Sequence, residues 1–152
     1  MRRFLMVLLL LAVFPAFAAG VVQGRLLKTL PLFLDVKGHD AVSPSLYDRD
    51  AYQAYLHQHP GEISAMRFDV LWKAANAENT KIKIRIELRG VGADGLPRQT
   101  VLEQEVTPKF FRSWTSLTLG GDEYKTFNAV NAWRATLWSD DQMIGEQKSF
   151  LW

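Results

Sequence analysis

A strict alternation of apolar and charged residues between positions 81 and 89 constrains the fold of this chain most. One side of this segment carries isoleucine and leucine, and the other carries lysine, arginine and glutamate. Because successive side chains of a β-strand point to opposite faces, the pattern predicts a strand with one face in a hydrophobic core and one in water. The predicted core residues are Ile82, Ile84, Ile86 and Leu88.

The same two-residue period recurs along the chain and predicts a mainly β domain. Met66, Phe68, Val70 and Trp72 form the predicted inner face of a strand that begins at Ile63. Further strands are predicted at 24–36, 99–106, 114–119, 130–138 and 143–152. Proline cannot donate to a sheet ladder, so Pro31 places the first of them at an edge or breaks it in two. About seven short strands separated by turns are typical of an antiparallel β-sandwich.

The C-terminal part of this pattern resembles immunoglobulin-like or fibronectin-III-like β-sandwiches. Residues 131–138, an acidic turn at 139–142 and residues 143–152 are similar to the last hairpin of such domains. At the level of pattern the resemblance covers residues 63–152, without the Cys…Trp…Cys signature of antibody domains. It implies an immunoglobulin-like fold and, because such sandwiches serve many functions, no particular activity.

One helix is predicted at 44–58, inserted before the main strands. Ser43-Pro44 supplies a favoured N-cap followed by proline at the first helical position, and Pro60-Gly61 supplies the stop. The predicted packing side is an apolar stripe at helical spacing, which consists of Tyr47, Ala51, Ala54 and Tyr55. We expect this helix to lie against the sheet or to cover one end of it.

The N-terminus has the order of a secretory signal peptide. Arg2 and Arg3 precede an apolar run at 4–14, and Ala16-Phe17-Ala18 presents small residues for cleavage. The run is shorter than the roughly 20 residues of a membrane-spanning helix. We therefore predict that residues 1–18 are removed. Residues 19–152 would then form a single exported domain without a membrane span. We expect this domain to be periplasmic or extracellular in a bacterium.

Charge and cysteine content exclude several classes of protein. The chain has 18 basic and 16 acidic residues, and the excess of two is accounted for by Arg2 and Arg3. Interspersed, balanced charges predict no nucleic-acid partner and no strong attraction to anionic membranes. The absence of cysteine excludes disulfides, thiol chemistry, Cys-ligated metal centres and a lipoprotein anchor.

The segment His57-Gln58-His59, with Glu62 nearby, contains residue types that bind zinc. Ligands at helix positions i and i+2 point to different faces, and the spacing matches no zinc signature. Polar residues at a helix C-terminus explain the segment better, since histidine is electrostatically favourable there. We predict no metal site and no cofactor.

His39-Asp40 offers half of an acid–base pair, with Ser43 and Ser45 close in sequence. No G-x-S-x-G nucleophile elbow surrounds any serine, and neighbours in sequence do not make triad geometry. We predict no catalytic residue. A small hydrolase that uses His39 or the pair His57/His59 stays as an alternative.

Aromatic residues predicted to lie at the surface indicate a binding site of the domain. Alternation places Trp133 in the core and Trp138 on the opposite face, while Trp152 shares a face with Phe150 at the chain end. Trp138, Phe150 and Trp152 are therefore the predicted interaction surface. The leading hypothesis is a non-catalytic exported domain that binds another envelope protein or associates with itself. A carbohydrate-binding module that uses these aromatics is the alternative.

Overall fold

The structure, a computed structural model, describes residues 20–78 and 80–152 and is mainly β. The predicted signal peptide, residues 1–18, lies outside the described residues. The elements in chain order are β1 (Gln23–Asp35), α1 (Leu46–Gln58), β2 (Ile63–Ala75), β3 (Ile82–Gly92), β4 (Pro97–Val106), β5 (Ser113–Gly120), α2 (Gly121–Lys125), β6 (Phe127–Ser139) and β7 (Gln142–Lys148). One 3-10 turn, Pro60–Glu62, separates α1 from β2.

The strands form two antiparallel sheets. The three-stranded sheet has the order β1-β2-β5, and the four-stranded sheet has the order β4-β3-β6-β7. Among the described strands β1 pairs only with β2, so it is an edge strand, which is one of the two outcomes that Pro31 predicts. Its beginning lies beside β7, where a Cβ on Gly145 would be 3.3 Å from the amide nitrogen of Leu26. The other two edges, β4 and β5, contact each other on the opposite side.

The inner faces of both sheets share one hydrophobic core. The alternation in β3 is confirmed, since Ile82, Ile84, Ile86 and Leu88 are each buried. Phe68, Val70 and Trp72 of β2 are buried too, and they pack in the same cluster as Leu117, Leu119, Ala135 and Leu137. The buried indole of Trp72 donates to the Thr115 hydroxyl at 2.9 Å, so its polar atom has a partner.

The outer face of the four-stranded sheet is a ladder of complementary charges. Lys83 on β3 lies 3.2 Å from Glu103 on β4, and Arg85 lies 3.6 Å from the same carboxylate. Glu87 accepts a hydrogen bond from Arg134 on β6 at 2.6 Å. The side chains predicted to face solvent thus lie on the outer face and are partly covered by their partners. Opposite charges on adjacent strands are the favourable arrangement.

Helix α1 begins two residues later than the sequence predicted. Its N-cap is Ser45, whose hydroxyl accepts from the amide of Asp48, and not Ser43. Ser43 instead donates to the Asp48 carboxylate at 2.5 Å and accepts from the Ser45 amide. Both serines therefore stabilise the first turn, and the sequence prediction named the wrong one as the cap.

The packed side of α1 also differs from the prediction. The stripe expected to face the sheet is exposed, namely Tyr47, Ala51, Ala54 and Tyr55. The inward side carries Leu56, which is fully buried, with half-buried Tyr52 and Gln53. Apolar periodicity was misleading here because the helix contacts the edge of β1 largely through hydrogen bonds.

The side chain of Gln53 continues the hydrogen-bond ladder of β1. Its Oε1 accepts from the amide of Phe33 at 2.7 Å, and its Nε2 donates to the Phe33 carbonyl at 2.9 Å. Nε2 also donates to the carbonyl of Asp40. A neighbouring strand would make the same pair of bonds with Phe33. Because bare strand edges invite pairing with other chains, α1 protects the edge of β1 at this point.

We expect Gln53→Ala to lower the free energy of unfolding by about 1–2 kcal/mol, because Phe33 and Asp40 lose their side-chain partner. Urea denaturation followed by tryptophan fluorescence measures the change. Gln58→Ala is the matched control, since Gln58 is exposed on the same helix. We expect the control to stay within about 0.5 kcal/mol of the wild type. Equal effects at the two positions would show that the Gln53 amide does not stabilise the edge.

Two boundaries near the C-terminal half differ from the prediction. β7 ends at Lys148 and not at residue 152, because the chain turns after Ser149 and the Trp152 amide donates to the Ser149 carbonyl at 3.2 Å. The Ser149 amide donates to the Trp133 carbonyl at 2.9 Å, while its hydroxyl accepts from the Trp133 amide at 3.1 Å. The strand predicted at 130–138 begins earlier, at Phe127, because it follows the short helix α2 directly.

A basic aromatic groove as candidate binding site

An open groove lies at the end of the domain where β1 begins. Four segments form it: the start of β1, the end of β2, the loop before β5 and the start of β7. Its volume is about 1350 Å³. The side chains that give it chemical character are Val22, Arg25, Lys73, Phe110, Phe111 and Arg112, and we call this surface the basic aromatic groove.

Strand register places the groove's cations on the outer face of the three-stranded sheet. Leu26 and Trp72 face each other in the core, so their neighbours Arg25 and Lys73 face each other outside. One step further along the same face, Trp114 of β5 lies opposite Leu71 of β2. Trp114 is 54% exposed, and it extends the aromatic surface beyond the groove.

The loop before β5 supplies two phenylalanines that pack on each other and not on the core. Phe110 is 96% exposed and Phe111 is 76% exposed. Their ring centroids are 4.9 Å apart and the rings are perpendicular, the edge-to-face geometry that aromatic pairs prefer. Clustered exposed aromatics of this kind mark interaction sites.

The cations of the groove lack counterions within the described part of the chain. Arg25, Lys73 and Arg112 take part in no ion pair there, in contrast to the ladder on the other sheet. Arg25 and Lys73 are directly opposite each other, and like charges in that arrangement are destabilising. No acidic side chain is among the described residues that line the groove. An anionic partner would relieve this repulsion.

The predicted interaction surface is divided between two places. Trp152 lies under the guanidinium of Arg89, 3.9 Å from the ring centroid, with Arg134 at 5.1 Å. Trp138 lies on the same outer face four residues beyond Arg134, about 13 Å along β6. Its indole nitrogen donates to the Thr136 hydroxyl at 2.8 Å. Both tryptophans are half-buried, whereas Phe150 is 100% exposed.

The histidines at the end of α1 make local contacts. His59 Nδ1 lies 2.8 Å from the Tyr55 carbonyl oxygen, and the His59 ring stacks on Tyr55 at 4.1 Å. The His57 ring lies 6.1 Å from the ring of Phe33. Over residues 20–78 and 80–152, no group of three or more His, Asp or Glu side chains is placed to hold a metal ion.

The carboxylate beside His39 is Asp35 and not Asp40. Asp35 accepts from the amides of Lys37 at 2.7 Å and His39 at 2.9 Å, and from the Tyr52 hydroxyl at 2.9 Å. The His39 amide, with smaller contributions from Tyr52 and Lys37, lowers the pKa of Asp35 against the opposing effect of burial. The carboxylate therefore organises the turn between β1 and α1.

The other residues of the possible hydrolase site form hydrogen bonds and ion pairs elsewhere. Asp40 forms an ion pair with Arg67 at 3.1 Å, and Arg67 also pairs with Asp69 at 2.9 Å. Ser43 and Ser45 bond to Asp48 at the start of α1. His39, Asp40 and the two serines are thus divided among separate local networks.

Comparison with known proteins provides no relative: no family model matches the chain, and no curated protein and no solved structure shows significant similarity. Among the helices that the structure describes, none is long and apolar enough to cross a bilayer.

The groove was not predicted from the sequence, although the sequence contained one signal for it. Leu117 and Leu119 of β5 point into the core, so alternation places Trp114 on the outer face. Phe110 and Phe111 gave no such signal, because they lie in a loop without periodicity. The position of that loop beside β1 and β7 depends on the topology of both sheets.

Proposed function

We propose that this chain is an exported, non-catalytic β-sandwich domain that binds a partner in the cell envelope through its basic aromatic groove. The observation that carries the proposal is one surface with two exposed phenylalanines and three cations that form no ion pair with any described residue. Phenylalanine and arginine are among the residues enriched at interfaces.

We also infer that the fold is immunoglobulin-like. In support, the first, second and fifth strands share one sheet, and the third, sixth and seventh share the other. The fourth strand departs from the constant-domain arrangement, because it pairs with the third strand and not with the fifth. The buried Trp72 lies on the second strand, whereas antibody domains carry their core tryptophan on the third.

Export is supported by the sequence alone. The charged head, apolar run and small residues at 16–18 have the order of a signal peptide. We propose that the processed domain is periplasmic or extracellular.

A second candidate surface is the C-terminal segment after β7. Phe150 is fully exposed and Leu151 is 69% exposed, beside the aromatic ring of Trp152. Association with another protein or with a second copy of this chain would bury these apolar side chains. The ring of Trp152 packs against the guanidinium of Arg89, whereas Phe150 is fully exposed. A substitution at Phe150 therefore tests this surface more directly.

Site-specific photo-cross-linking in intact cells tests which surface binds. We expect a photo-reactive phenylalanine analogue at Phe110 to give a discrete adduct, because this side chain stands at the groove. The same analogue at Tyr47, which is 83% exposed on α1, should give none. An adduct from position 150 alone would move the function to the C-terminal segment. No adduct from either position would contradict a binding domain of this kind.

A further inference from the structure

We propose that the partner of the basic aromatic groove is the surface of an anionic lipid bilayer. This inference rests on the proposed function, since the same groove does the binding. The overall balance of charges predicted no strong attraction to anionic membranes. The fold changes that expectation, because it groups several cations at one surface. Most of the remaining cations pair with carboxylates elsewhere.

The loop before β5 has the composition of an interfacial anchor. Lys109, Phe110, Phe111 and Arg112 are four consecutive exposed residues, and Trp114 follows on the adjacent outer face. Phenylalanine and tryptophan enter the boundary between headgroups and acyl chains, while flanking lysine and arginine stay at the headgroups. The exposed aromatic area of this loop would thereby be removed from water.

The cations beside this loop suit an anionic surface. Arg25 and Lys73 lie opposite each other, and Lys28 lies opposite Leu71 on the same face. In the described residues none of the three pairs with a carboxylate. A basic side chain near an anionic leaflet strengthens binding by about fivefold. A lipid surface presents many anionic headgroups at once, so it can neutralise cations spread over several strands.

Acidic residues at the same end define the limit of the docking surface. Asp140 and Asp141 form the turn between β6 and β7, while Glu78 and Glu105 line a neighbouring hollow together with Lys109 and Phe110. None of these four carboxylates is among the described residues that line the groove. The favoured orientation therefore brings the β1-β2-β5 sheet toward the headgroups and keeps the β6–β7 turn away from them.

Vesicle flotation tests the inference with protein recovered from the envelope, its N-terminus defined by intact mass. The probes are vesicles of phosphatidylcholine alone and vesicles of equal parts phosphatidylcholine and phosphatidylglycerol. We expect binding to the mixed vesicles only, weakening as salt screens the charges. An apolar N-terminal segment, if retained, would insert into both vesicles, so only the difference between them reports on the groove.

Matched variants locate the binding surface. We expect Phe110→Ser combined with Phe111→Ser to weaken binding at least about tenfold, and Lys73→Ala about fivefold. Tyr47→Ser and Lys37→Ala are the controls: Tyr47 is 83% exposed on α1, and Lys37 lies beyond the far end of β1. The controls should bind as the wild type does. Thermal melting should be unchanged, because all the mutated side chains are exposed.

Equal binding to both kinds of vesicle, or unchanged binding by the groove variants, would overturn the bilayer inference. Loss of binding on Phe150→Ser would do the same, since it would place the contact at the C-terminal segment. The proposed function fails separately. A protein adduct at position 110 without vesicle binding would keep the groove as a binding site and replace the lipid by a protein partner.

Discussion

Replacing Ile84 by alanine is expected to lower the free energy of unfolding by about 2–5 kcal/mol. Ile84 has no exposed surface and lies on the central strand β3, opposite Leu137 of β6 and within the core shared by both sheets. Truncation removes buried methyl groups and leaves a cavity that close-packed neighbours fill only partly. A small domain has only about 5–15 kcal/mol in total, so the loss is a large share of its stability.

Lys83→Ala, one residue away on the same strand, is the control for this prediction. Lys83 points to the outer face, where it pairs with Glu103 and both side chains are more than one third exposed. Exposed ion pairs contribute about 0–1 kcal/mol, so the change should be small. Urea denaturation of the two variants gives the comparison. Similar losses at positions 83 and 84 would contradict the assignment of inner and outer faces to β3.

Gly90→Ala is expected to destabilise the domain by about 1–3 kcal/mol or more. A Cβ at this position would overlap the carbonyl oxygen of Ala129 and approach the ring of Phe127 to 3.0 Å. Arg89 pairs with Ala132 and Gly90 with Val130, so an extra residue bulges from β6 here and brings the two backbones together. A backbone carbonyl within a sheet cannot move aside as a flexible side chain can.

Gly61→Ala separates this steric effect from the general cost of losing a glycine. A Cβ at Gly61 meets nothing within 4 Å, and Gly61 does not adopt a positive φ. The smaller entropy of the unfolded chain makes this control neutral or slightly stabilising. Thermal melting of both variants measures the contrast. A normal melting temperature for Gly90→Ala would mean that β3 and β6 do not approach as closely as the structure shows.

Secondary structure was predictable where burial follows a regular period. Alternation in β2 and β3 identified the buried side chains Phe68, Trp72 and Ile84. In a sheet with one face in water, apolar residues alternate with polar residues along each strand, so the sequence indicates which face is buried. Helix α1 was located but assigned the wrong packed side. Its contact with β1 uses the polar Gln53 and Tyr52, and a polar contact leaves no hydrophobic stripe.

The candidate site was not predictable in the same way. Trp138 and Trp152, two of the residues predicted from the sequence, are half-buried in contacts with Thr136 and Arg89. Trp114 was not among the predicted residues, although the alternation of side chains along β5 indicates that it points outward. Aromatic residues in loops carry no periodic signal, and their neighbours come from distant parts of the chain.

The sequence by itself determined the β class and the inner faces of β2 and β3, since these follow from local alternation. Proline limited β1 to an edge strand or a strand broken in two, and the arrangement of the sheets made it an edge strand. Only the tertiary structure decided how charge is distributed over the surface. Lys83 forms an ion pair with Glu103 on β4, whereas Arg25 and Lys73 lie opposite each other beside Phe110. Total charge is a property of composition, but an electrostatic surface depends on which distant strands become neighbours.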